Sequence, residues 1–295
     1  MAQNQWAGST FGSGRLHSAL IRSLRIFDVR FIYAFAFVFV IPFVVMSSGS
    51  RKTSWNFYRR ILGFGPLKSA LHVYLNHCMF AEVVIDRFAM YAGKKFDVEI
   101  EGEDAYRALS SRPEGFVQLS SHIGNYEIAG YSLVSPGKTI NAVVYGHEKE
   151  SVMRNRGNMF DRTNIRMICL REDMSHLFEI DKALSEGNVV SLPADRHLGD
   201  AKTVEFTFFG HPADFPKGPF SVATMRGLDV LAVNVMKEGA KKYKIYVTPL
   251  GYDRDAPRKE QISQLGGEYI VELERRLRQY PAQWYNFFDF WKDMH

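Results

Sequence analysis

The chain has 295 residues, enough for one large α/β domain together with an amino-terminal helical region. Its net charge of +5 and its pI of about 9.1 suit anionic lipid surfaces, phosphorylated substrates or an acidic carrier protein. Nucleic acid would suit the same charge, but the sequence has no zinc finger, homeodomain or base-stacking signature, so no nucleic-acid partner is predicted.

The first notable segment is an uncharged apolar run of sixteen residues from Phe31 to Met46. As a helix it would span roughly 24 Å, less than the ~30 Å hydrocarbon core of a bilayer, and Pro42 predicts a kink. A buried core helix is the alternative interpretation. Basic residues on both sides of the run favour instead a short or re-entrant membrane anchor at about 31–46. These basic residues are Arg15, Arg22, Arg25, Arg30, Arg51, Lys52, Arg59, Arg60 and Lys68.

The remainder of the chain alternates between apolar runs and amphipathic segments. Helices are predicted over roughly 51–93 and over Asp173–Ser185, Phe220–Arg226 and Arg258–Gln279. Eight short apolar runs predict strands at Phe96–Ile100, Phe116–Leu119, Thr139–Val144, Ile165–Ile168, Val189–Leu192, Val204–Phe208, Val230–Val235 and Tyr243–Val247. This order predicts an α/β fold with a mixed, mainly parallel sheet flanked by helices. We divide the chain into an amino-terminal helical region with the anchor, residues 1–93, and a catalytic domain, residues 94–295.

Two cysteines, Cys78 and Cys169, lie far apart and lack C-x-x-C spacing. This pattern does not indicate a disulfide framework, and it favours the cytoplasmic side of a membrane for the catalytic domain. The histidines show no metal-ligand spacing such as H-E-x-x-H, so neither a metal nor a cofactor is predicted.

His122 and Glu127 form the most informative pattern, a histidine and a carboxylate five positions apart in SSHIGNYE. The segment lies where a strand is predicted to turn into a helix, with Asn125 or Ser121 as a possible N-cap and Gly124 allowing the bend. His122 would lie on the loop and Glu127 in the first helical turn. Such a carboxylate can fix the imidazole tautomer, which predicts a general base that activates a hydroxyl or an amine.

Two further segments are candidates for the same site. Asp195 follows an apolar strand, and functional residues of α/β folds collect at the carboxyl ends of strands. The stretch from Met153 to Arg171 is rich in arginine, including Arg154, and it could dock phosphates or an acidic carrier protein. Turn chemistry explains Asp195 as well, and a solvated surface explains the arginines as well.

Four segments in this order resemble the bacterial lipid A late acyltransferases, the lauroyl and myristoyl transferases of the lysophospholipid acyltransferase superfamily. They are SHIGNYE at 121–127, LRED at 170–173, the segment from Asp195 to Gly210, and YPAQWYNFFDFW at 280–291. The carboxyl-terminal segment departs from the family pattern, because Phe288-Asp289-Phe290 stands where a basic pair is common.

The resemblance implies an O-acyltransferase at the cytoplasmic face of the cell inner membrane. It would move a fatty acyl chain from acyl carrier protein or acyl-CoA to a hydroxyl of a lipid acceptor, such as a lipid A precursor in lipopolysaccharide biosynthesis. His122 and Glu127 would be the catalytic pair. The backbone N–H groups of Gly124 and Asn125 are the candidate oxyanion donors. Asp195, Arg171, Asn125 and Arg154 are the expected substrate-binding residues.

Other activities stay open from the sequence. The acceptor could be an aminoacyl lipid, a lysophospholipid or a polyene lipid. The same histidine and carboxylate could instead activate water, as in a lipid ester hydrolase. A non-catalytic membrane scaffold would keep the anchor and the basic surface and would be indifferent to His122→Ala.

Overall fold

A computed structural model describes residues 14–47, 49–133, 135, 137–145, 164–171, 173–196, 201–287 and 290–291. The helices are α1 Gly14–Ile26, α2 Val29–Phe35, α3 Ile41–Ser47, α4 Ser50–Asn56, α5 Pro66–Tyr91, α6 Glu103–Ser110, α7 Tyr126–Ser132, α8 His176–Ser185, α9 Lys217–Met225 and α10 Arg258–Gln279. The strands are β1 Asp97–Glu101, β2 Phe116–Ser120, β3 Ile140–Tyr145, β4 Ile165–Leu170, β5 Val189–Pro193, β6 Thr203–Phe208, β7 His211–Pro216, β8 Val230–Gly239 and β9 Lys242–Leu250.

Seven of the nine described strands form one sheet, in the order β1-β9-β8-β2-β5-β3-β4. Every neighbouring pair in this sheet is parallel except β8 and β9, which are antiparallel. Strands β6 and β7 form a separate antiparallel hairpin. The prediction of a mixed, mainly parallel sheet flanked by helices is therefore confirmed.

The central strand β2 explains why the apolar runs predicted strands so well. All five of its residues are buried, because helices cover both faces of the sheet. One apolar cluster packs α5, α9 and α10 against one face, and a second packs α6 and α7 against the other. Each of the eight apolar runs lies on one of the strands β1 to β6, β8 and β9.

The amino-terminal apolar run is helical but divided. A π-helical turn over Ala36–Val40 separates α2 from α3, directly before Pro42. Proline cannot donate a backbone hydrogen bond, and the Ile41 N–H reaches back to the Ala36 carbonyl oxygen instead. Within the described part of the chain, no helix has both the length and the apolar character needed to cross a bilayer. The expectation of one hydrophobic anchor helix over about 31–46 is corrected to this divided arrangement.

The amino-terminal helices pack onto the rest of the molecule through α5. A third apolar cluster joins α1 and α2 to the carboxyl-terminal half of α5, and Tyr58 and Val73 reach the large cluster on the sheet. The long predicted helix over 51–93 breaks at Leu62–Gly65 and resumes at Pro66, a residue suited to the first turn. Helix α5 ends at Tyr91 and β1 begins at Asp97.

Candidate active site

Two loops meet at the carboxyl edge of the sheet. Strands β2 and β5 are parallel neighbours, and Ser120, the last residue of β2, pairs with Pro193, the last residue of β5. His122 and Asp195 each lie two residues beyond those strand ends, so the register of the sheet brings them side by side. The Nδ1 atom of His122 is 2.8 Å from Oδ1 of Asp195, and the backbone N–H of His122 donates to Oδ2 at 2.8 Å.

The electrostatics of this pair favour an ionised carboxylate. Asp195 is fully buried, and that burial by itself would raise its pKa. The charge and hydrogen bonds of His122, together with the charge of the adjacent Arg196, outweigh burial and leave the Asp195 pKa below its ordinary value. Asp195 is therefore an acceptor at neutral pH, which places the donating proton on Nδ1 of His122.

The ring of His122 is held but accessible. Its side chain is 29% exposed, in contrast to the 1% exposure of Asp195. The ring of Tyr126 packs edge-on against the imidazole, with 6.1 Å between ring centroids. Because Asp195 occupies Nδ1, Nε2 is the nitrogen left for exchanging a proton with a substrate.

Glu127 does not contact His122 in the structure. It lies in the first turn of α7 and is buried against α5, where its Oε1 is 2.9 Å from Nε of Arg87. The expected role of Glu127 as the group that orients His122 is thus corrected, because Asp195 makes that contact. Sequence proximity favoured Glu127, whereas the β2–β5 pairing brings Asp195 to the ring from 73 residues away.

The backbone groups expected to form an oxyanion hole are already engaged. The Gly124 N–H donates to the Gln283 carbonyl oxygen at 2.8 Å, and the Asn125 N–H donates to the Val235 carbonyl oxygen at 2.8 Å. Neither amide can bind an oxyanion in this conformation, so that assignment is corrected. Asn125 occupies the N-cap position of α7 without a capping side-chain bond, and its amide donates to the Tyr243 hydroxyl at 3.3 Å.

The carboxyl-terminal aromatic segment lies directly against the histidine loop. Ile123 and Trp284 form an antiparallel β-bridge, and the Tyr285 N–H donates to the His122 carbonyl oxygen at 3.2 Å. On the other side, the Arg196 guanidinium donates to the Tyr285 carbonyl oxygen at 3.2 Å. The segment thus joins the loop after β2 to the loop after β5.

Comparison with known proteins identifies the family of the chain. Residues 79–293 match the family model described as bacterial lipid A biosynthesis acyltransferase. The chain belongs to this family. The match begins inside α5 and covers the whole sheet, the His122 loop and the carboxyl-terminal aromatic segment.

Two curated relatives add detail to the family assignment. Both are phosphatidylinositol mannoside acyltransferases, from two strains of Mycobacterium tuberculosis, and each is 29% identical to this chain over 147 residues. The alignment covers 50% of this chain and 46% of each relative, so less than half of the relatives' length is matched. A crystal structure of the 1-acyl-sn-glycerophosphate acyltransferase from Thermotoga maritima aligns with a TM-score of 0.39 and 14% identity, over 92% of this chain and 99% of that one.

The other residues expected to bind substrate lie apart from the histidine pair or outside the described residues. Arg171 follows β4, at the far edge of the sheet, and its exposed side chain pairs with Glu179 at 2.7 Å. Arg154 lies outside the residues that the structure describes. Asp195 contacts His122 directly, and its expected role in binding substrate stays a prediction.

The sequence pattern did not predict two arginines that lie near the His122 loop. Arg87 was one charge within a long amphipathic helix, and nothing in its spacing indicated that it meets Glu127. Arg196 directly follows Asp195, and burial lowers the pKa of its guanidinium while the Asp195 carboxylate opposes that shift. Its position beside a buried strand-end aspartate is the signal that could have identified it.

Proposed function

We propose that the chain is an O-acyltransferase that moves a fatty acyl group from a thioester donor to a hydroxyl of a lipid acceptor, with His122 as general base and Asp195 as the group that orients it. The observation that supports this most strongly is the pair of 2.8 Å contacts between His122 and both carboxylate oxygens of Asp195. Family membership supports acyl transfer as the reaction type, and the contacts with Asp195 support His122 as the proposed base.

The proposed reaction balances without a covalent enzyme intermediate. Nε2 of His122 removes the proton from the acceptor hydroxyl as its oxygen attacks the thioester carbonyl carbon. The Asp195 carboxylate stabilises the resulting imidazolium through Nδ1. The tetrahedral intermediate then collapses, the C–S bond breaks, and the imidazolium returns the proton to the leaving thiolate. A general base of this kind contributes on the order of 10²- to 10⁴-fold to the rate.

The negative charge on the tetrahedral oxygen needs a donor other than the amides of Gly124 and Asn125. Arg196 is our candidate, because its partly buried guanidinium directly follows Asp195 and is held by the Tyr285 carbonyl oxygen. A guanidinium in a low-dielectric site stabilises a developing oxyanion more strongly than it would in water. Arg196→Lys would keep the charge and alter the geometry, so it should lower kcat less than Arg196→Met.

The proposed substrates follow from the family and from charge. Acyl carrier protein is acidic and acyl-CoA carries phosphates, and a basic chain suits both. The acceptors to test first are a lipid A precursor, the acceptor implied by the family name, and phosphatidylinositol mannoside, the acceptor named for the curated relatives. A lysophospholipid tests the remaining class.

The amino-terminal helices support docking on a membrane surface, and we place the protein at the cytoplasmic face of the cell inner membrane. Large apolar side chains are exposed along this region, which we call the apolar helical face. Its members are Ile26 (73% exposed), Phe27 (52%), Phe31 (70%), Phe35 (59%), Val38 (63%), Phe39 (68%), Leu67 (89%) and Leu71 (54%). The exposed Arg22, Arg25, Arg30 and Lys68 lie nearby in sequence and suit anionic headgroups.

The experiment is a detergent-micelle assay with acyl carrier protein thioester or acyl-CoA and each of the three acceptors, with products identified by mass spectrometry. Acylated acceptor formed at equal amounts with free thiol supports transfer. Thiol release without acylated acceptor would indicate a hydrolase. Wild-type rates in His122→Ala would contradict the assigned base.

A further inference from the structure

A cluster of charged and phenolic side chains is buried between the amino-terminal helices and the sheet. Tyr33 of α2, Glu82 and Asp86 of α5, Lys237 of β8 and Tyr243 of β9 all have less than a tenth of their surface exposed. The mechanism above uses none of them. We call these five residues the buried polar cluster.

Asp86 is the centre of the cluster. Its carboxylate accepts hydrogen bonds from the hydroxyls of Tyr33 and Tyr243 and from the ammonium of Lys237. Lys237 Nζ also lies 3.3 Å from Oε2 of Glu82 and 3.1 Å from the Tyr33 hydroxyl. The cluster therefore joins α2 and α5 to the β8–β9 hairpin, which lies about 150 residues further along the chain.

The buried polar cluster is a poor source of stability for its size. Burial raises the pKa of both Asp86 and Glu82, and the nearby Lys237 only partly offsets that effect. Well-packed apolar side chains of similar volume would often fill such a space at equal or greater stability. The cluster instead contributes directional hydrogen bonds, which hold the bonded residues in one arrangement.

Those bonds lead to the histidine loop by two routes. Asn125, three residues after His122, donates from its side chain to the Tyr243 hydroxyl at 3.3 Å. The backbone N–H of Lys237 donates to the side-chain oxygen of Gln283 at 2.8 Å, and the Gln283 side-chain amide donates to the Lys237 carbonyl oxygen at 2.7 Å. The backbone carbonyl oxygen of Gln283 in turn accepts a hydrogen bond from the Gly124 N–H. Asn125 and Gln283, which hold the end of the His122 loop, are therefore both connected to the buried polar cluster.

The opposite side of the cluster leads to α2. Tyr33 is buried and bonded to Asp86, whereas Phe31 and Phe35 of the same helix belong to the apolar helical face. The helix that exposes these rings therefore also donates one of the hydrogen bonds that Asp86 accepts. A displacement of α2 would remove the Tyr33 bond and disturb the cluster.

We propose that Asp86, Lys237 and Tyr243 are positioning residues for the His122 loop, and that Tyr33 makes the order of this loop depend on how α2 is seated. Through this connection, binding of the apolar helical face to a lipid surface would steady the catalytic histidine. The effect on catalysis rests on the proposed function; the connection between α2 and the loop does not.

The test combines hydrogen exchange with kinetics on the full chain. Tyr33→Phe, Tyr243→Phe and Asp86→Asn each remove or weaken a bond of the cluster. Tyr106→Phe is the matched control, because its buried hydroxyl has no hydrogen-bond partner among the residues that the structure describes, and it lies on α6 instead of on an element of the cluster. We expect the amides of Gly124 and Asn125 to exchange about fivefold to tenfold faster in the three cluster variants and at the wild-type rate in the control.

The kinetic readout separates positioning from general stability. The cluster variants should lower kcat about tenfold or more, with KM within about twofold of the wild-type value. Unchanged exchange at Gly124 and Asn125 would overturn the proposal, as would faster exchange spread evenly over the sheet or an unchanged kcat. Wild-type exchange in Tyr33→Phe alone would overturn the link to α2. If the wild-type chain transferred no acyl group, the proposed function would fail, while exchange would still decide the connection.

Discussion

His122 presents both its ring Nδ1 and its backbone N–H to the same buried carboxylate, that of Asp195, at 2.8 Å each. Two bonds to one carboxylate fix the position of the loop as well as the tautomer of the ring. This two-point contact gives a loop residue the fixed geometry that the proposed general base would need.

The ion pair between Arg87 and Glu127 predicts a rescue. Both side chains are largely buried, so Glu127→Gln should lower the free energy of unfolding by about 3–5 kcal/mol and reduce activity, because it removes the negative charge that lies 2.9 Å from the Arg87 guanidinium. The double variant Arg87→Met/Glu127→Met removes both charges and should recover stability and activity together. Urea denaturation and the acyl-transfer assay measure the two effects.

The exposed pair Glu103–Arg107 on α6 provides the control for this prediction. The double substitution Glu103→Met/Arg107→Met should leave both readouts unchanged. A folded Arg87→Met/Glu127→Met protein without activity would mean that Glu127 acts on the reaction directly and not through Arg87.

The bend after His122 predicts sensitivity at Gly124. Its φ of +57° is unfavourable for other residues, and a Cβ there would lie 1.8 Å from the Val235 carbonyl oxygen. Gly124→Ala should displace the loop, lower kcat strongly and reduce the thermal midpoint. Gly137 has a φ of +79°, and no described atom would lie within 4 Å of a Cβ there, so Gly137→Ala tests the backbone strain without a collision. Equal effects of the two substitutions would contradict the close approach at Val235.

The lowered pKa of Asp195 predicts a simple pH dependence. The stability that its ionised form contributes is complete above the unfolded-state pKa of about 3.9, and it is lost as pH falls through the lower folded-state pKa. Asp195→Asn removes this contribution, so the difference in free energy of unfolding between the wild-type chain and Asp195→Asn should shrink as pH falls below about 4, as measured by urea denaturation. A difference that stays constant as pH falls through that range would contradict the lowered pKa of Asp195.

The apolar helical face predicts partitioning onto anionic vesicles. Phe31→Ser and Phe35→Ser should each weaken binding in a co-sedimentation measurement, because burying an aromatic side chain contributes about 1.5–3 kcal/mol. Phe178→Ser is the control, since that ring is 80% exposed on α8, outside this face. Equal losses from all three substitutions would mean that the apolar helical face is not the docking surface.

Local pattern was sufficient for most of the fold. The central strands β2 and β8 are buried along most of their length because both faces of the sheet are covered, so their apolar runs could be predicted without their neighbours. Strand β7 was harder, because His211–Pro216 mixes polar residues and prolines, and its pairing with β6 lies outside the large sheet. The apolar helix is divided at Ala36–Val40 by π-helical backbone hydrogen bonds, such as that from the Ile41 N–H to the Ala36 carbonyl oxygen. The periodicity of apolar residues does not indicate which backbone hydrogen bonds form.

The sequence predicted individual residues of the site but not the contact between His122 and Asp195. His122 and Asp195 were both candidates because each follows a strand. Their contact depends on the adjacency of β2 and β5, which are separated in sequence by β3 and β4. The engagement of the Gly124 and Asn125 amides was equally hidden, because their acceptors come from β8 and from the carboxyl-terminal segment.

The most direct test of the account is the initial rate of acylated-lipid formation by Asp195→Asn, measured by mass spectrometry beside the wild-type chain. Asp104→Asn on α6 is the matched control, because that aspartate is exposed and lies away from the site. We expect Asp195→Asn to remain folded and to form product about 10²- to 10⁴-fold more slowly, while Asp104→Asn keeps the wild-type rate. A folded Asp195→Asn protein that transfers acyl groups at the wild-type rate would contradict the role proposed for Asp195.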